Sequence, residues 1–271
     1  MNVFKTLDGK EYELTVENYE QHSHKSKPYY HDKKRYKSPH FALCPMCNNP
    51  IQVINLYKDE YVEEITGRKG LHARHFTKNI EGLAEYNKSQ YESCPLHKPI
   101  NFKLIEVRHD DIVNEEIKKI IEANLKSIIN DIKNISGILF KNVNLEKKID
   151  NYIEMRNYAY THTNKYNIPY SILYTSDSFD LFGRKISDNG MGEKIEQAIL
   201  HKSKFFTVQA KQIVKKVSEY VFIRLLVTKH KISTSGEQTM LLSIEEGNNK
   251  QLGIFFKEEI LLKQFVYHKL S

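Results

Sequence analysis

The chain has 271 residues, enough for one large domain or two ordinary ones, with 40% apolar and 28% charged residues that sustain a polar core rich in Ile, Asn, Lys and Tyr. A formal net charge of +7, from 41 Lys or Arg against 34 Asp or Glu, permits a nucleic-acid partner without requiring one. Three cysteines, an odd number, exclude a disulfide framework and point to a reducing compartment. No apolar run approaches a bilayer span and Met1-Asn2-Val3-Phe4-Lys5 lacks the apolar region of a signal peptide, so the sequence reads as a cytoplasmic protein with no membrane segment.

Residues 1–20 predict a hairpin, Val3–Leu7 and Glu11–Leu14 around the turn pair Asp8-Gly9. Residues 22–37 then change character. Lys25, Lys27, Lys33, Lys34, Arg35 and Lys37 share this stretch with Tyr29, Tyr30, Tyr36 and a single acid, Asp32. Lysines and arginines suit phosphates and tyrosine faces suit unstacked bases, so these nine residues are the candidate nucleic-acid contacts; the alternative is a solvated basic loop.

All the cysteines fall between 44 and 97, in Cys44-Pro-Met-Cys47 and Cys94-Pro-Leu-His97. Two ligands separated by two residues reach one ion when the backbone turns tightly between them, and Asn48-Asn49-Pro50 is turn chemistry. The spacing predicts a structural zinc site of Cys44, Cys47 and Cys94, with His97 and His75 competing for the fourth corner. With four protein ligands such a site supplies folding energy and not chemistry.

Cys44-Pro45-x-Cys47, a short apolar strand and the pair His75-Phe76 resemble the N-terminal zinc ribbon of bacterial competence proteins and related nuclease-linked proteins, over about residues 40–97. In that family a nuclease domain follows the ribbon. Its motif is absent here, so the resemblance implies a nucleic-acid context, such as DNA processing or defence in bacteria, and no carried-over activity.

Beyond the first knuckle, 51–57 read as a strand, 58–70 as a polar loop, 79–89 as a short helix and 102–107 as a strand. Residues 112–135 are the clearest helix: Ile117, Ile120, Ile121, Leu125, Ile128, Ile129 and Ile132 recur at three- and four-residue steps, with Asp110 or Asp111 as cap and Gly137 as stop. Its stripe suits a core or a homodimer interface. A second helix is expected over 145–158, capped by Asn144. Then come a buried strand at 168–174, helices at 193–200 and 208–217, a meander of strands at 220–228, 238–244 and 252–256, and a closing helix at 258–270. The expected fold is α+β: a zinc-ribbon domain (1–108), a helical connector (109–162) and a C-terminal mixed domain (163–271) with the antiparallel meander.

Catalysis would need clustered carboxylates around a metal. The weak candidates are Asp177, Asp180, Glu193 and Lys194, each with a structural explanation as turn or first-turn residue. His109-Asp110-Asp111 reads likewise as a helix cap. No P-loop, nucleophile elbow or dinucleotide fingerprint occurs. The sequence thus points to a zinc-stabilised nucleic-acid-binding protein and inclines against an enzyme; the alternatives are a metal-dependent nuclease or a non-catalytic interaction subunit.

Overall fold

The computed structural model describes residues 1–32, 34–57, 70–234 and 236–267. The expected loop at 58–69, Lys33, the turn residue Ser235 and the final residues of the closing helix lie outside them. The fold is α+β, with antiparallel sheets and a C-terminal meander. It forms two compact units: Met1–Ile100 with Lys263–Val266, and Asn101–Leu262 with Tyr267. The segment expected as a connector, 109–162, lies within the second unit.

The first unit is built on a five-stranded antiparallel sheet, in order β2-β1-β3-β4-β5. Its strands are β1 (Val3–Lys5), β2 (Glu11–Glu13), β3 (His40–Leu43), β4 (Pro50–Ile54) and β5 (His72–His75). The hairpin forms as expected, with Gly9 at φ +84°, although its strands are shorter. Residues 16–23 are a helix that the hydrophobic pattern does not announce: α1 (Val16–Ser23), whose N-cap Thr15 accepts from the Asn18 amide at 3.1 Å. Only Tyr19 and Ser23 are buried on it. Tyr19 is wholly enclosed, its hydroxyl 2.8 Å from the Phe41 carbonyl and 3.1 Å from that of Tyr29. Instead of the expected helix at 79–89, a turn precedes α2 (Lys88–Glu92). Residues 263–266 belong here because Gln264 and Asn2 exchange three hydrogen bonds, each 2.9 Å.

In the second unit the long helix is two, α3 (Asp111–Ala123) and α4 (Leu125–Ser136), separated at Asn124. Asp110 caps the first through the Val113 amide. Ile117, Ile120, Ile121, Ile128, Ile129 and Ile132 are each at most 2% exposed, so the unit's own core takes up these six residues of the stripe. Residues 102–107, expected as a strand, form no strand beyond an isolated bridge from Val107 to Tyr160. After β6 (Ile138–Leu139) come α5 (Asn142–Glu154), capped at Lys141 rather than Asn144, and α6 (Ile168–Thr175). The latter replaces the expected strand: an all-buried apolar run carries no period, and Pro169 in the first helical turn decides it.

Next are β7 (Phe179–Asp180), β8 (Lys185–Ile186), α7 (Gly190–Lys202), β9 (Phe206–Gln209) and β10 (Gln212–Lys215). The last two form a hairpin where a helix was expected. Ala210 and Lys211 at its tip both have positive φ, the geometry of a primed turn made without its usual Asn or Gly. The meander β11 (Phe222–Ile232), β12 (Gln238–Gly247) and β13 (Leu252–Leu261) is longer than expected; β13 takes the first residues assigned to the closing helix, and 262–267 are irregular. α6 packs on β11 and α7 on β13.

Two backbones nearly touch where α7 begins. A Cβ on Gly192 would lie 2.0 Å from the Ser187 carbonyl oxygen, and one on Gly137 would lie 2.6 Å from the Gly192 nitrogen. Gly192→Ala is therefore expected to destabilise the second unit by about 1–3 kcal/mol in urea unfolding, despite alanine's better helix propensity. An unchanged midpoint would contradict this packing.

Candidate metal centre

Sheet register brings the ligands together. Cys44 follows β3 directly, and the chain turns back at Cys47 to enter β4. The turn closes through Asn48 N–H to Cys44 C=O (2.9 Å) and Cys44 N–H to Asn49 C=O (2.8 Å), with Asn48 at φ +56°. β5 pairs with β4 so that His75 lies opposite Ile51, beside the first knuckle. Cys94 follows α2, its amide donating to the Tyr91 carbonyl at 3.2 Å, and the His97 and Lys98 amides converge on its own carbonyl.

The ligand atoms of Cys44, Cys47, His75 and Cys94 all lie within 4.8 Å of one another. Cys44 Sγ and Cys94 Sγ are 3.7 Å apart, and Cys47 Sγ is 3.3 Å from His75 Nε2. A disulfide would need about 2.05 Å. Sulfurs on the edge of a zinc tetrahedron, each about 2.3 Å from the ion, stand about 3.8 Å apart. The sulfurs are buried; His75 is half-buried. Contacts with the Cys44 and Cys94 sulfurs push the Cys47 thiol below its usual range, helped by His75 and Asn49, and Cys44 is pushed above it by Cys47 and Cys94. Three sulfurs this close all ionise only with a cation among them. The group could therefore hold a metal ion.

His97 is outside this group. Its exposed ring stacks on Tyr91 at 3.7 Å between centroids, and that tyrosine's ring also meets His75 edge-on at 5.3 Å. Asn49 is a supporting residue that the sequence reading missed. It is 1% exposed; its Nδ2 donates to Cys47 Sγ (3.4 Å), and its Oδ1 accepts from the Asn87 amide (2.6 Å) at the N-cap of α2. One side chain thus ties the first knuckle to the helix that presents Cys94. Its sequence signal was only its place in a turn.

The basic stretch is a closed loop against the same sheet. Its ends are bridged by Tyr30 and His40, and His31 N–H donates to the Pro39 carbonyl at 2.8 Å. Tyr29 faces inward, and Tyr30 and Tyr36 are half-buried. Tyr29 is 8% exposed, its hydroxyl accepting from the Leu7 amide, so it offers no face to a base, a correction to the sequence reading. Tyr30 shares a hydrogen bond with Tyr57 at 3.1 Å and meets His40 edge-on; Tyr36 packs edge-on against Phe41 and Phe76. Lys25 is paired with Glu20 at 2.8 Å. Lys27, Lys34, Arg35 and Lys37 are exposed. Exposed Arg74, on β5, adjoins them through Gln52, which bonds both Arg74 and the Ser38 carbonyl.

Among the described residues, no second cluster of three or more His, Cys, Asp or Glu ligand atoms forms. Asp177 and Asp180 are exposed, and Asp180 caps the Phe182 amide at 3.2 Å. Glu193 is exposed in the first turn of α7, and Lys194 pairs with Glu258 at 2.6 Å. These candidates are not gathered around a point. No described helix is long and apolar enough to cross a membrane. No protein-family model matches the chain, and neither a curated protein nor a solved structure does.

Proposed function

We propose that the first unit is a zinc-pinned module that binds the phosphate backbone of nucleic acid. Three thiolates and one imidazole at tetrahedral spacing, with no open position, are the donor set of structural zinc. The resemblance to the competence-type ribbon agrees with this reading. The observation that carries the partner is the loop closed against the sheet between His31 and Pro39, where Lys34, Arg35 and Lys37 are exposed beside a single acid, Asp32. Positive charge is local, since residues 1–100 as a whole hold 15 Lys or Arg against 13 Asp or Glu. Because its one tyrosine, Tyr36, is half-buried against Phe41 and Phe76, the loop contacts phosphate and not bases, and binding is indifferent to sequence.

The test is a salt titration of oligonucleotide binding. The logarithm of affinity is expected to fall linearly with the logarithm of salt concentration, and the triple change Lys34→Ala, Arg35→Ala, Lys37→Ala to make the slope shallower by about one per cation removed. Binding that ignores salt, or a triple variant that behaves as wild type, overturns the proposal.

A further inference from the structure

The second unit holds an exposed aromatic ring with a lysine ammonium against it. Phe182, 46% exposed, follows β7 in a loop fixed to β10: Gly183 N–H donates to the Ile213 carbonyl and Ile213 N–H to the Arg184 carbonyl, both at 2.9 Å. The ammonium of Lys215 lies 5.2 Å from the ring centroid. Lys215 pairs with Phe206 across the β9–β10 hairpin, and the Lys216 amide donates to the Phe205 carbonyl, so Lys204 and Lys216 belong to the same open end, both exposed, with the Lys216 ammonium donating to the Ser203 carbonyl at 2.8 Å. Phe206 itself is 6.3 Å from Phe182, ring to ring.

Little negative charge opposes them. Residues 197–218 contain no Asp or Glu. Glu246, which reaches this end, is 5% exposed, and its oxygens are taken by the Ser203 hydroxyl at 2.5 Å and the Lys204 amide at 2.6 Å. Asp180 is turned to the amide of Phe182. A single apolar side chain at a surface is ordinary. An exposed ring with one ammonium against it, at a hairpin end that carries two further exposed lysines, suits an unpaired strand, with an aromatic surface for a base and cations for the flanking phosphates.

We infer that this open hairpin end, centred on Phe182 with Lys204, Lys215 and Lys216, binds single-stranded nucleic acid. A duplex keeps its bases stacked and offers the same surface phosphates alone, so the ring discriminates between the two forms. The assignment does not depend on the loop at 31–39, which lies in the other unit.

The experiment measures binding of the full chain to a fluorescent thymidine oligonucleotide and to a duplex of equal length. Phe182→Ala is expected to weaken single-strand binding about tenfold or more and duplex binding less than about twofold. Phe182→Trp is expected to keep the affinity, and Phe182→Leu, apolar but not flat, to lose it. Thermal melting of each variant monitors the fold. Lys204→Ala with Lys216→Ala should weaken both ligands and flatten the salt dependence. The inference is overturned if wild type fails to bind the single strand, if Phe182→Ala binds it normally or loses duplex binding equally, or if Phe182→Leu matches wild type. Loss of binding in the Lys34, Arg35, Lys37 triple variant with Phe182→Ala unaffected would support the N-terminal site and overturn this one; the reverse pattern supports this one alone.

Discussion

Cys94→Ser is expected to abolish zinc binding and unfold the first unit. Cys94 is the only ligand from beyond the sheet, so without it the ion no longer joins α2 to the knuckle between β3 and β4. Structural zinc contributes on the order of 10 kcal/mol in small domains, comparable with the whole stability of an ordinary one. The expected loss exceeds about 5 kcal/mol. Elemental analysis should fall from about one zinc per chain to none, and the first unit's urea transition should disappear or move to far lower concentration. The histidines separate the two possible sites. His75→Ala should weaken zinc at least about a hundredfold in chelator competition, whereas His97→Ala, losing only a ring stacked on Tyr91, should keep the metal. A metal-free wild type with a normal fold, or zinc lost in His97→Ala and kept in His75→Ala, would refute this assignment.

The second large effect is a pH dependence seated at His162 in the second unit. This ring is 2% exposed, stacked 4.1 Å from Phe102 and 5.4 Å from Tyr160, and neither ring nitrogen has a hydrogen-bond partner. Burial pushes it from the ordinary 6.5 down to about 4; His230 and Arg108 add to this, and the Lys103 backbone opposes it. The neutral form is therefore the one the fold accepts. At neutral pH both states are uncharged and nothing is lost. As pH falls below 6.5 the unfolded chain gains a proton that the folded one refuses, so stability declines until the folded group titrates near 4. The decline amounts to up to about 3 kcal/mol. His162→Phe keeps the stacking and removes two unpaired polar atoms, so it should match or exceed wild-type stability at pH 7 by up to about 1 kcal/mol and lose less on acidification. Equal losses for the two proteins between pH 6.5 and pH 4 would rule His162 out as the source.

Legibility in the sequence followed the kind of signal each segment carried. Cys44, Cys47 and Cys94 were readable because metal spacing is local and the residue is rare in this chain. Which histidine joins them was not, because the Ile51–His75 register that brings His75 to the cysteines is a long-range fact. The meander was legible from its β-branched runs. The apolar stripe of α3 and α4 revealed helix and buried face together, but not the interruption at Asn124, which the apolar period runs straight across. β9 and β10 were misread because Ala210-Lys211 makes a turn with residues that normally avoid positive φ. The tyrosines of the basic loop illustrate another limit. Composition shows that an aromatic is near a lysine and not which way its ring faces, and at Tyr29 the ring faces the core.

The pairing of Gln264 with Asn2 bears on the order in which the molecule is made. During synthesis the first hundred residues emerge from the ribosome early, with Cys44, Cys47, His75 and Cys94 all present, and Asn2 still lacks Gln264. The three bonds that Asn2 makes to Gln264 wait until nearly the whole second unit has been translated. A nascent chain stalled before residue 263 would therefore expose an incomplete first unit, held in the meantime by its aromatic core.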